Sequence, residues 1–265
     1  VNRAKIGAIV EKEFADARKN KMIIITMALI PTLLVAMVLG TAFFMLNVES
    51  GGEASLDEDD LGMIPPELQS QNPLHAMLIM LNDQYMFYFL LIPMMLPVYI
   101  AAYSIIGEKE TKSLEPLLAT PVSTWELLVG KSLAATIPPV ILTWLSFIVL
   151  IVGSYLIMPE PVFLAMIRPV WIVGMALLSP LLALLSVFSG VIVSSRMNDP
   201  RAAQQVTGIF VIPIIALSLV VLAGKIFLNV WMVILAATIA LAVDCVVLYF
   251  AVKLFKRETI LTNWK

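Results

Sequence analysis

Six separate apolar tracts, each long enough to cross a bilayer, decide what this chain can become. They run over 22–46, 84–107, 132–158, 169–195, 202–224 and 226–252. A hydrocarbon core of roughly 30 Å needs about 20 apolar residues in helical form. Composition agrees: 60% of the 265 residues are hydrophobic and 14% charged, where soluble domains carry about 45–50% and about 25%. The longest remaining piece, 47–83, is shorter than the roughly 50 residues at which folded domains begin. The function is therefore expected in the membrane or on a partner. The expected fold is an all-α integral membrane protein of six spans.

Charge sets the orientation. Lys and Arg concentrate on the side that is not translocated. Residues 1–21 carry Arg3, Lys5, Lys12, Arg18, Lys19 and Lys21; the stretch 108–131 carries Lys109, Lys112 and Lys131. Arg196 and Arg201 flank the next turn on that side, and Lys253, Lys256, Arg257 and Lys265 close the chain. The other side keeps only Arg168 and Lys225, while 47–83 has eight acids and no Lys or Arg. Both termini are expected in the cytoplasm of a cell-membrane protein, with the acidic loop 47–83 outside. Five or seven spans would scramble this partition.

Smaller features refine the plan. Ile6, Ile9, Val10, Phe14 and Ala17 share one stripe at the helical period. Residues 1–20 therefore read as an amphipathic helix, lying in the cytoplasmic interface or packed on loops. The first apolar tract is too long for a secretory leader and reads as an anchor. In the outer loop, Asp57–Asp60 invites a calcium reading. An EF-hand counted from Asp57 would end on Leu68 in place of the bidentate acid, so no metal site is expected. Residues 73–82, with the single histidine His75, read as a short helix skimming the outer surface. Pro31, Pro93, Pro97, Pro138, Pro139, Pro180 and Pro213 fall inside spans, where each removes a donor and favours a bend. The lone Cys245 permits no intrachain disulfide, and a net charge of −2 gives no reason to expect nucleic acid.

The richest stretch joins the second and third spans, residues 108–131. Pro116 suits the first turn of a helix opened by Ser113. Leu114, Leu117 and Leu118 then form one apolar face, and Thr120-Pro121 stops the helix. Ser123 with Glu126 is a capping box for the helix that becomes the third span. The product is a short, leucine-faced helix joined at both ends to membrane helices. Such a shape can turn a push from a cytoplasmic partner into helix motion.

The run Gly107-Glu-Lys-Glu, then Leu114-Glu-Pro-Leu-Leu-Ala-Thr-Pro-Val-Ser123, then Glu126-Leu-Leu-Val-Gly-Lys131 resembles the signature of ATP-binding cassette (ABC) exporter permeases of the type-two family. Ser195–Gln205 and Leu254–Leu261 resemble that family's second cytoplasmic turn and its ending. The resemblance implies a coupling helix at 113–120 that docks on a separate ATPase. Glu108, Glu110, Ser113, Leu114, Glu115, Leu117, Leu118, Arg196 and Asp199 would be its ATPase-coupling residues, and residues 5–19 the connecting helix. It implies two cytoplasmic ATPase subunits holding ATP and Mg, a second permease copy or close relative, and a path lined mainly by the second and fifth spans. Lys112 stands where the family commonly has a small residue, which leaves the substrate group open.

No phosphate-binding loop accompanies these motifs: Gly130-Lys131-Ser132 matches its last three positions, but Trp125 occupies the place of the first glycine. The chain is thus expected to bind no cofactor and to catalyse nothing itself. Asp244 is the one ionisable residue deep within a span, and must face a cavity, meet a partner or be protonated. A membrane protease would need a second aspartate, a serine–histidine pair or a metal cluster within reach. The alternative reading is an ATP-independent secondary transporter or channel, which the scarcity of intramembrane charge disfavours.

Overall fold

The computed structural model describes residues 2–50, 68, 72–110, 123–197, 199–222 and 229–254. These are helical almost throughout, with no strand among them. In chain order the helices are α1 (Arg3–Lys19), α2 (Lys21–Ser50), α3 (Pro73–Glu110), α4 (Thr124–Ile157), α5 (Glu160–Met166), α6 (Pro169–Arg196) and α7 (Pro200–Thr207). A 3-10 turn (Gly208–Val211) follows, then α8 (Ile212–Leu222) and α9 (Val230–Leu254). Six segments are long and apolar enough to cross a bilayer. The protein is an all-α membrane protein.

Helices α3 and α6 form the centre, packed along one another. Phe89, Leu96 and Ala102 of α3 and Ala183 and Val187 of α6 are fully buried. The close approach needs Gly190, where a Cβ would stand 3.0 Å from Val98 Cγ2. Helix α9 lies on the opposite side of α6 through a stripe at spacings of three and four: Val233, Ala237, Ala240, Asp244 and Ala251. Small residues on such a stripe let two backbones approach, the usual source of attraction between helices in lipid. The segment Arg201–Val221 is the least embedded, with 11% of its apolar window buried against 72% for α3.

At the end away from α1, Asp83 pins α3 to α6. Its carboxylate pairs with Arg168, accepts a bond from Trp171 Nε1 at 2.9 Å, and sits beside the edge-on stack of Phe87 and Trp171. This contact bears on the expectation for 73–82. That stretch does not skim the surface as a separate helix: it is the first part of α3, and Leu74, Ala76, Leu78 and Ile79 are buried. The physical reason is α5, absent from the sequence reading, whose Val162 and Met166 join the same apolar cluster. With 38 residues, α3 is about 57 Å long and outreaches the hydrocarbon core.

The fifth span also differs from a simple helix. Asp199 caps α7 and Pro200 occupies its first turn, but the helix yields at Gly208 to the 3-10 turn. Pro213 cannot donate to the carbonyl four residues back, and its ring crowds that carbonyl. A tighter turn over Gly208–Val211 removes the conflict. The prolines inside α2, α3, α4 and α6 leave those helices unbroken.

Helix α1 lies against the start of α4. The stripe residues are turned inward with Ile9 buried, and Glu13, which the stripe did not name, is buried beside them. Ile9 rests on Gly130: a Cβ there would come within 2.7 Å of Ile9 Cγ2 and 2.9 Å of its Cβ. Those atoms are too near the α1 backbone to swing aside. Gly130→Val is expected to lift α1 off α4, costing about 1–3 kcal/mol. Hydrogen exchange across residues 3–19 should rise in that variant and stay unchanged in Gly7→Ala, where a Cβ meets nothing within 4 Å.

A buried charge cluster at the roots of the connecting segment

The segment 111–122 lies outside the described residues, but both of its roots are visible. One is the end of α3; the other is Ser123, which opens α4. The capping box is formed: Glu126 N–H donates to Ser123 Oγ at 3.2 Å, and Ser123 N–H donates to Glu126 Oε2 at 3.0 Å. The remaining oxygen, Glu126 Oε1, accepts the backbone N–H of Asn2 at 2.7 Å. One carboxylate thus starts α4 and holds the beginning of α1 on it.

Further along α1 the contact turns ionic. Lys131 of α4 is 5% exposed; its ammonium donates to Glu13 Oε1 at 2.8 Å and Ser104 Oγ at 2.7 Å and is ion-paired with Glu108 Oε2 at 2.8 Å. Lys12 adds a second cation, 2.5 Å from Glu108 Oε1 and 3.4 Å from Glu13 Oε1. Two cations and two carboxylates from α1, α3 and α4 make a neutral group. Neutrality matters, because a lone ion moved from water into the interior costs several kcal/mol.

The ionisation of the two α1 members follows from these partners. Burial works most strongly, to raise the Glu13 carboxyl, but the Lys131 ammonium, together with Ser104 and Lys12, holds the group below its usual 4.5. Burial likewise opposes the charge on Lys12, yet Glu108, helped by Glu13, keeps it above 10.5. Glu13 therefore contributes stability that is complete above pH 4.5 and is lost as pH falls through its lowered folded value. The Lys12 contribution is complete below pH 10.5 and is lost as pH rises through its raised value.

The sequence-named residues are distributed unevenly around this cluster. Glu108 is inside it, facing Lys12 and Lys131 within the chain. Glu110 ends α3 and Arg196 ends α6, with side chains outside the described set. Ser113, Leu114, Glu115, Leu117 and Leu118 lie outside the described residues. Asp199 accepts the Arg201 N–H at 2.9 Å as the cap of α7. Asp244 is 4% exposed on the α9 face that meets α6, and neither oxygen has a hydrogen-bond partner among the described residues. Among those residues no group of His, Cys, Asp and Glu could hold a metal ion.

Lys12, Glu13, Ser104 and Lys131 were not singled out by the sequence reading. Glu13 carried a usable sign: it stands four residues after Ile9, an acid on the stripe that must be buried. Its partner at 131 is 118 residues away, and one sequence has no means of pairing them.

The match between this chain and known proteins covers the charge cluster. The chain belongs to the ABC-2 family of transporter proteins, whose sequence model matches residues 7–231. It is accordingly a multi-pass permease of the ABC exporter kind. The match takes in α1 from residue 7 onward, the cluster and the segment 111–122, and ends at the start of α9, before Asp244. No curated protein matches the chain.

Two outcomes test the site. Lys131→Met leaves two carboxylates facing each other with one cation; a loss of about 3–5 kcal/mol is expected. Adding Glu13→Gln should recover part of it in a double-mutant cycle, and Glu13→Gln alone should flatten the loss of stability below pH 4.5. Asp244→Leu is expected to insert normally and to raise the thermal midpoint, since it removes a buried group that has no partner among the described residues, worth about 1–3 kcal/mol. A lowered midpoint would show that the carboxyl has a partner.

Proposed function

We propose that this chain is the membrane subunit of an ABC exporter driven by a separate ATPase that docks on residues 113–120, within the segment 111–122. What supports the reading is the Lys131 cluster, which ties both roots of that segment to α1. A force applied to the segment then reaches α3, α4 and α1 together. Among the functions open to a family member, this geometry suits a lever.

In this reading the α1 end of the bundle is cytoplasmic, in line with the clustering of Lys and Arg there. Two ATPase subunits, which hold ATP and Mg, serve two permease copies. Their closure presses on the leucine face of 113–120 and on the turn between Arg196 and Asp199, and the helices tilt to alternate access across the membrane. The weakly embedded stretch Arg201–Val221 suits a position beside the second copy, with the path between it and α3.

The docking assignment has a direct test. Leu117→Asp with Leu118→Asp should abolish substrate-coupled ATP hydrolysis by the reconstituted complex while insertion and thermal midpoint stay near the parent's. Coupled turnover at the parental rate would refute it.

A further inference from the structure

Between α2, α3 and the α7 turn lies an open groove of about 480 Å³ that the cluster does not use. Its polar rim comes from α7: Arg201, Gln204 and Gln205. The Arg201 guanidinium is exposed and forms no ion pair among the described residues. Asp199, the nearest acid in sequence, is turned to the helix cap, and no acid lines the groove. Gln204 Nε2 is shielded from solvent yet has no acceptor among the described residues. A buried donor left empty is costly, so it marks a place for an acceptor brought from outside. Tyr99 and Tyr103, one turn apart on α3, line it together with the apolar Ile23 and Met95.

One groove thus brings together a cation, amide donors, phenol rings and aliphatic side chains. We infer that the groove receives an anionic amphiphile, with its phosphate or carboxylate on Arg201 and Gln204 and its tail against Tyr99, Ile23 and Met95. An arginine fork suits a planar or tetrahedral oxyanion, through hydrogen bonds about twice as strong as neutral ones. Resting on the proposed orientation, the groove opens at the level of the inner leaflet, where Lys21 begins α2 and Arg201 lies in the first turn of α7. A molecule already in that leaflet slides in sideways without leaving the lipid. The site is thus an entry point for the exported substrate, and the substrate class is a lipid-like acid.

The test starts with the full chain alone, in nanodiscs of phosphatidylcholine. Dodecyl phosphate should bind about tenfold or more tighter than dodecyltrimethylammonium, the scale of one charge-assisted hydrogen bond. Arg201→Gln should remove that preference, Arg201→Lys should keep most of it, and Gln204→Leu should cause a smaller loss. Equal binding of the two head groups, or an unchanged preference in Arg201→Gln, overturns the groove assignment. Inorganic phosphate should fail to compete at concentrations where dodecyl phosphate saturates; equal competition would make the site one for a free anion and overturn the amphiphile. With the ATPase subunits added, dodecyl phosphate should stimulate hydrolysis, and its half-maximal dose should rise in Arg201→Gln by the factor seen in binding. Binding without stimulation in a complex that hydrolyses ATP overturns the substrate role. The Leu117→Asp, Leu118→Asp chain should still bind the probe, so a failure of the ATPase reading is read separately from a failure of the groove.

Discussion

A single ammonium group, that of Lys131, decides how the first third of this permease is put together. It lies almost wholly out of water, hydrogen-bonded to Glu13 of α1 and Ser104 of α3 and ion-paired with Glu108 of α3. Remove the acceptors and the helix that carries it could not pack there. A buried ion pair is weak evidence of net stability, because desolvation offsets most of the attraction. What it does enforce is register. A one-residue slip turns α4 by about 100° and carries Lys131 away from Glu13 and Glu108. The same slip takes Gly130 out from under Ile9. Ion pairing and close packing therefore select the same rotation of α1 on α4, and neither would fix it alone.

The remaining helices follow a different logic, since lipid gives no hydrophobic reason for apolar helices to associate. Where α3 and α6 meet, the attraction is close packing, made possible by Gly190 and by the alanines of both helices. Where they could still slide, Asp83, Arg168 and Trp171 hold the far end. The α3–α6 pair is thus packed along its length and pinned by polar contacts at the end away from α1. In contrast, α7, the 3-10 turn and α8 have little packing within the chain, and Pro213 has already broken their continuity.

Much of this was legible before any coordinates. Six long apolar tracts, the Ser123–Glu126 cap and the stripe Ile6–Ile9–Val10–Phe14–Ala17 are local patterns, and local patterns survive in a single sequence. Residues 73–82 were misread because their neighbour was unknown. An apolar run after an acidic loop looks interfacial until α5 is seen to cover it. The break at Gly208 was half legible, as Pro213 announced a disturbance but not which carbonyl would give way. Glu108 was legible as a residue of the junction through resemblance alone. That it faces Lys12 and Lys131 is a fact of tertiary structure, carried by pairs about a hundred residues apart.

These differences in restraint indicate where movement is cheapest. Pulling α1, α3 and α4 apart at the cluster means separating buried charges, on the order of 3–5 kcal/mol for each broken pair. Shifting α7 and α8 disturbs few buried side chains and no buried ion pair among the described residues. A push at the segment 111–122 would therefore move the clustered helices as one body. The displacement would be taken up along the seam where α2 and α3 face α7, and that seam is the groove bounded by Tyr99, Tyr103 and Arg201. On the proposed reading, the same imbalance that keeps the lever stiff places its moving edge at the substrate's point of entry.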